Sequence, residues 1–241
     1  MIYFASDIHL GSGDKKAQRA TEQRFVAWLR SIEPTAEVLF LVGDIFDFWF
    51  EYKRVVPQGF VRTLGQLAHM TDRGIRVVML TGNHDMWVGN YLTEECGITI
   101  YTKPQTFTIA GKTLYVAHGD NMNIKGQPLL RAMNAIFRSK SLRWLASWLI
   151  HPNCFMRFGQ WWSGKSRKSH SADYGPEVLD FLVDYALVYG QKHEIDYFVF
   201  GHLHYADDVK SAQRILFMGD WHSRPSYVVL DDNGEIELKI L

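Results

Sequence analysis

Five short apolar runs in this chain each end in residues of one chemical kind. Tyr3–Ser6 leads into Asp7-Ile8-His9, and Leu39–Val42 into Gly43-Asp44, with Asp47 three residues on. Val78–Thr81 leads into Gly82-Asn83-His84-Asp85, Leu114–Ala117 into His118-Gly119-Asp120, and Phe198–Phe200 into Gly201-His202-Leu203-His204. The runs read as buried strands, and the stretches between several of them carry apolar residues at helical spacing: Phe25, Trp28, Leu29, Ile32; Val61, Leu64, Leu67, Ala68; Val178, Leu179, Leu182, Val183, Ala186. Strands alternating with helices predict an α/β fold. In such folds ligands bind in the crevice beyond the carboxyl ends of the strands, so residues far apart in sequence converge there.

Each motif alone has an ordinary explanation. Asp-x-His and His-x-His occur as loop hydrogen-bonding patterns, and Gly-Asp is a common turn. Five of them, all after strands and holding five of the ten histidines, are poorly explained by turn chemistry alone. Asp7, His9, Asp44, Asn83, His118, His202 and His204 form an oxygen and nitrogen donor set without thiolate, which suits Mn²⁺, Fe²⁺, Mg²⁺ or Zn²⁺ better than copper. That set is too large for one small ion but suffices for two ions sharing a carboxylate, with Asp44 as the natural bridge. Paired cations lower the pKa of a bound water and clamp both oxygens of an in-line displacement, so hydrolysis at phosphorus is the expected reaction.

The 241 residues are 47% hydrophobic and carry 26 basic against 26 acidic side chains, enough for a substantial core and no net call for a polyanionic partner. The balance is local fiction. Residues 121–172 contain no Asp or Glu but nine basic side chains (Lys125, Arg131, Arg138, Lys140, Arg143, Arg157, Lys165, Arg167, Lys168), and four of the eight tryptophans (Trp144, Trp148, Trp161, Trp162). Leu129, Leu130, Met133, Ile136 and Phe137 trace one helical face, and Leu142, Leu145, Trp148 and Leu149 another. The segment reads as a helical insertion, residues 121–172, in a domain formed by 1–120 and 173–241. Packing onto that domain explains any single residue; many aromatics and cations without anions suggest a surface for an anionic, partly apolar partner.

Ile215–Met218, Tyr227–Leu230 and Ile236–Ile240 read as further strands, the last two joined by a tight turn at Asp232-Asn233-Gly234. Met1 running into Ile2–Ala5 without a basic leader reads as a first strand rather than a signal peptide. Leu142–Ile150 is about half the ~20 residues that a bilayer span needs. Cys96 and Cys154 are too few for a disulfide framework and are expected to be buried thiols in a reducing cytosol.

The ordered set Asp-x-His, Gly-Asp-x-x-Asp, Gly-Asn-His-Asp, His-Gly-Asp and Gly-His-x-His resembles the calcineurin-like metallophosphoesterases across the main domain. The resemblance implies a four-layer α/β/β/α sandwich with a dinuclear centre, Mn²⁺ foremost. By motif, Asp7, His9, Asp44 and His204 would hold one ion and Asp44, Asn83, His118 and His202 the other. His84 would face the scissile phosphate as general acid or charge stabiliser, steadied by Asp85, its alternative being a more distant donor. Asp47 is expected to support rather than ligate.

Within that superfamily, Gly43–Trp49, the insertion between His118 and His202, and Met218-Gly219-Asp220-Trp221-His222 resemble the UDP-2,3-diacylglucosamine hydrolases. That family yields UMP and 2,3-diacylglucosamine 1-phosphate for lipid A synthesis. Many of its members carry Arg at the position of His84, and a related branch carries His as here. The resemblance makes the insertion a lipid-binding cap in which Leu129, Met133, Phe137, Leu145, Trp148, Phe155 and Trp161 are candidate acyl contacts. Asn83, His84, Asp120, Lys165, Lys168, His170 and His202 are candidate contacts to the phosphosugar, with Arg167 nearby. It also implies a cytoplasmic enzyme lying peripherally on the anionic inner membrane, where Arg131, Arg138 and Arg143 would meet headgroups, with no nucleic acid and no obligate protein partner. The alternatives are a phosphoesterase for a soluble nucleotide or other phosphoester, a non-catalytic binding module on the same fold, and a nucleic-acid binder using the basic, aromatic span. Trp221 and His222 are candidate site residues of unassigned role.

Overall fold

Alternation along the strands decides the architecture, because each central strand has two apolar faces and needs a partner layer on both. The computed structural model describes residues 1–122, 135–170 and 176–241, apart from the side chains of residues 140, 165–170 and 176. One sheet runs in the order β11 (Ile236–Ile240), β10 (Ser226–Leu230), β1 (Ile2–Ala5), β2 (Val38–Val42), β3 (Arg76–Leu80), β4 (Thr99–Tyr101). Strands β1 to β4 are parallel, and β10 and β11 close the other edge antiparallel. The second sheet runs β5 (Gln105–Ile109), β6 (Lys112–Ala117), β7 (Tyr197–Phe200), β9 (Arg214–Phe217), β8 (Asp207–Lys210), with β6, β7 and β9 parallel.

Between the sheets lie Phe4, Phe40, Val42, Val78, Leu80 and Val228 from one side and Leu114, Val116, Val199, Leu216 and Met218 from the other. The odd-numbered neighbours of the first sheet, Tyr3, Ala5, Leu39, Leu41, Val77 and Met79, face the helices α1 (Lys15–Ile32), α2 (Val61–Asp72) and α3 (Tyr91–Cys96). On the far side Tyr115, Ala117, Phe198, Phe200, Ile215 and Phe217 pack against Leu182 and Ala186. These two belong to the helix Asp180–Gly190, which we number α6. The layers are therefore α/β/β/α, as the sequence resemblance implies. Helix α1 begins where Asp14 accepts a hydrogen bond from the Ala17 amide at 2.8 Å, and its buried face is the Phe25, Trp28, Leu29, Ile32 stripe. Trp221 is fully buried against Phe25 and Trp28, so it belongs to this core and not to a ligand site.

The segment between β6 and β7 carries α4 (Lys140–Leu149) and α5 (Pro152–His170). Phe155 of α5 anchors them, its ring lying 4.4 Å from Phe50 and within 6 Å of Phe48 and Trp87. Cys154, next along the helix and rotated off that face, is exposed; only Cys96 is buried as expected.

Phe40 has no exposure and stacks on Phe4 at 4.8 Å between the sheets. Phe40→Ala leaves a cavity that neither sheet can close and is expected to destabilise the protein by about 3–5 kcal/mol. Urea unfolding checks this; an unchanged midpoint would show that the sheets do not depend on this contact.

Candidate metal centre

The carboxyl ends of β1, β2, β3, β6 and β7 meet at one rim. Their loops are stitched together by the backbone: the Gly201 amide donates to the His118 carbonyl at 3.1 Å, the Asp7 amide to Gly43 at 3.1 Å and the Trp221 amide to Asp7 at 3.2 Å. Three groups result in which potential ligand atoms lie within 4.8 Å of one another: Asp7, His9 and His204; Asp44, His118 and His202; and His9, Asp44 and His84. His9 Nε2 is 3.1 Å from His204 Nε2, His204 Nε2 is 3.4 Å from Asp7 Oδ1, and His118 Nε2 is 3.3 Å from Asp44 Oδ2 and 3.2 Å from Asn83 Oδ1. All seven candidate ligands named from the sequence thus converge, and Asp44 stands between the two halves.

The backbone is bent to make this possible. Among the described residues seven non-glycines have positive φ, and five of them are Asp7, His9, Asp44, His202 and His204. The left-handed region costs an L-residue on the order of 1–2 kcal/mol, so its concentration at one rim marks strain held for a purpose. Gly82 leaves the room that Asp44 needs, since a Cβ there would fall 2.8 Å from His118 Nε2 and closer still to Asp44 Oδ1.

Electrostatics make the same demand. Asp7, Asp44, Asp47 and Asp85 are all buried, and no lysine or arginine is buried among the described residues. Backbone amides supply part of the compensation: His202 donates to Asp7 at 2.9 Å and His84 to Asp44 at 2.9 Å. Burial pulls the His118 imidazole down, but the Asp44 carboxylate, aided by Asp7 and Asp120, carries it well above its ordinary value. Burial pushes Asp44 up, and the imidazoles of His118 and His84 outweigh that and hold it well below the carboxylate range. His118 Nδ1 is 2.9 Å from the Val42 carbonyl, to which it donates, so Nε2 is the atom turned inward, as metal-binding histidines are commonly fixed. Buried carboxylates, inward imidazole nitrogens and no competing cationic side chain fit a pair of divalent cations.

Asp85 differs from expectation. Its carboxylate makes no hydrogen bond to the His84 ring; it accepts from the Gly82 amide at 2.7 Å and the Ile45 amide at 2.8 Å, tying the loop after β3 to the loop after β2. Burial, with the nearby Asp44 charge, pushes its carboxyl up to about 6. The His84 ring is held instead through Nδ1, 2.9 Å from the Asp47 carbonyl and 2.7 Å from Ser163 Oγ, a contact from α5 that no sequence motif announced. Asp47 Oδ1 itself lies 3.6 Å from His9 Nδ1.

The remaining candidates are divided. Asp120 is paired with Arg138 at 2.8 Å, and Arg138 also donates to the Thr102 carbonyl, so that guanidinium is engaged by the protein's own acceptors. Arg143 likewise donates to the Val88 carbonyl at 3.1 Å. Phe137 lines a cavity beside Asn83 and His84, with Met86, Trp87, Phe158 and Trp162. Phe155 is an anchor rather than a cavity wall, and Leu145, Trp148 and Trp161 do not line that cavity but are 45%, 74% and 60% exposed. Lys165, Lys168 and His170 sit in the last turns of α5 with side chains outside the description, as does that of Arg167; Leu129, Arg131 and Met133 lie outside the described residues altogether. His222 hydrogen-bonds Ser12 at 2.8 Å.

Residues 1–206 match the family described as Calcineurin-like phosphoesterase. This chain belongs to that family. The family uses a dinuclear divalent metal centre, and the clusters around Asp44 are its counterpart here. A UDP-2,3-diacylglucosamine hydrolase of Porphyromonas gingivalis is 35% identical over 95% of this chain and 94% of its own length. Proteins of the same name from Edwardsiella ictaluri and Histophilus somni are 25% and 24% identical, each over 96% of this chain, covering 88% and 97% of their own lengths.

For this phosphoesterase, the raised His118 and His204 imidazoles mean that protons occupy the ligand set before a cation does. A group whose value is raised keeps its proton until the pH climbs past that value, so metal uptake must expel protons and must weaken as pH falls. Calorimetric Mn²⁺ titrations in buffers of different ionisation enthalpy are expected to show proton release that grows as the pH is lowered toward 6. Binding without proton exchange across that range would contradict the assignment.

Proposed function

We propose that this phosphoesterase hydrolyses the diphosphate of UDP-2,3-diacylglucosamine to UMP and 2,3-diacylglucosamine 1-phosphate, a step of lipid A synthesis. The observation that carries the reading is the meeting of two chemistries: an aromatic cavity of Phe137, Trp87, Phe158 and Trp162 opens beside His84 and Asn83, at the edge of the ligand cluster. Burial of an acyl chain gains about 0.8 kcal/mol per methylene, so a lipid substrate calls for an apolar wall beside the reacting phosphorus. Near-complete coverage of the relatives supports the same reading, because body and cap segment are matched together.

Asp7, His9, Asp44 and His204 would hold one cation, and Asp44, Asn83, His118 and His202 the other, with Mn²⁺ the proposed occupant. When bound, such a pair supplies a water with pKa near ~7 and offsets charge on the phosphoryl oxygens. The chain's own residues do the rest. His84 Nε2 lies 3.9 Å from Asp44 Oδ2, and His84 is proposed to stabilise or protonate the departing oxygen. Asp85 keeps the loops after β2 and β3 in register. Lys165, Lys168 and His170, on the last turns of α5, are proposed to meet the phosphosugar, with Asp120 held in place by Arg138.

Among the described residues no helix is long and apolar enough to cross a membrane. Trp144, Trp148, Leu149 and Trp161 are nonetheless 60–74% exposed on α4 and α5. We assign this face to peripheral contact with the membrane that supplies the substrate, in line with the amphipathic, acid-free character of the insertion.

Mass spectrometry of products from acylated and deacylated UDP-glucosamine tests the reading. UMP release is expected to require Mn²⁺, to disappear with chelator, and to fall at least about 100-fold for deacylated substrate or for Asp44→Ala. Equal turnover of the two substrates would favour a soluble phosphoester, and turnover without metal would end the proposal.

A further inference from the structure

Helix α5 meets the body of the protein along residues four apart. Phe155, Gly159 and Ser163 are buried, whereas Phe158, Trp161 and Trp162 on the other faces are exposed. Residues four apart lie one above another on a helix, so this is a single stripe. Phe155 is its anchor. Gly159, one turn on, rests directly on Phe48: a Cβ at that position would overlap the Phe48 ring. This close approach brings the next turn, Ser163, down to the rim of the ligand cluster, where it is 1% exposed.

There Ser163 Oγ lies 2.7 Å from Asp47 Oδ1 and 2.7 Å from His84 Nδ1. A hydroxyl has one proton and a carboxylate only accepts, so Ser163 donates to Asp47 and accepts from His84 Nδ1–H. The same N–H points to the Asp47 carbonyl at 2.9 Å, which also only accepts. Both partners therefore require the proton on Nδ1 and leave Nε2 as the ring atom facing Asp44. The five strand-end loops provide one of these two constraints, and the insertion provides the other.

We propose that Ser163 is a positioning residue for the reaction: carried by α5, it fixes the tautomer and ring plane of His84, so that catalysis depends on the docking of the cap and not on the sandwich alone. The positioning does not depend on what the substrate carries beyond its phosphorus. It rests on the reading of His84 as the residue facing the scissile phosphate, but not on the identity of the lipid.

The test uses full-length protein with Mn²⁺ and the simple diester bis(4-nitrophenyl) phosphate, which has no acyl chain, together with nitrogen-15 histidine spectra of the Mg²⁺-loaded protein, His84 being assigned by its loss in His84→Gln. Ser163→Ala is expected to lower kcat about 10-fold with KM changed less than about twofold, and to move the Nδ1 and Nε2 signals of His84. Ser163→Thr, which keeps the hydroxyl, is expected to return both toward wild type. A rise in KM with kcat unchanged would make Ser163 a substrate contact and overturn the proposal. So would a loss of kcat with the His84 signals unmoved, a loss that Thr does not relieve, or wild-type behaviour of Ser163→Ala. Because the diester is indifferent to lipid recognition, a failed product assay with UDP-diacylglucosamine and a failed Ser163 test are separate results.

Discussion

Two carboxylates, Asp7 and Asp44, are buried at the rim of this fold with no lysine or arginine buried beside them among the described residues. A buried charge without compensation is too costly to keep, and here the compensation comes from imidazoles, backbone amides and, in the working enzyme, divalent cations. Much of the local structure follows from that requirement. The amides of His84 and His202 point at the carboxylates, Asp44 and His202 take left-handed conformations, and Gly82 must lack a side chain for Asp44 to fit.

The sandwich makes such strain sustainable. Its two sheets place the ends of β1, β2 and β3 opposite those of β6 and β7, and the Phe4, Phe40, Val199, Leu216 layer between them holds the distance. Residues from five loops then meet without any one loop having to be long. The helical segment between β6 and β7 adds what the sandwich lacks: an apolar wall beside His84, and a helix whose Phe155, Gly159, Ser163 stripe reaches the histidine itself.

The sequence disclosed the ligand set because metal chemistry restricts residue type and α/β topology restricts position; Asp7, His118 and His204 were recognisable by what preceded them. The strands named from apolar runs all appear, while β4, β5 and β8 went unnamed, since edge strands such as Gln105–Ile109 alternate polar and half-buried residues and lack a continuous apolar signal. Ser163 was illegible for a different reason. A serine in a tryptophan-rich helix carries no motif, and only the close contact between Gly159 and Phe48 decides that it faces His84. Phe155 was legible as apolar but not as an anchor, because its partners Phe48, Phe50 and Trp87 come from loops distant in sequence. The pairing of Asp120 with Arg138 was hidden for the same reason.

The proposed chemistry depends on two cations sharing Asp44. Electron paramagnetic resonance of the protein titrated with Mn²⁺ reads this directly, since ions bridged by one carboxylate are close enough to couple their spins. An exchange-coupled spectrum is expected to grow in as the second equivalent binds and to be lost in Asp44→Ala. An uncoupled single-ion spectrum at saturation, or coupling that survives the loss of Asp44, would contradict it.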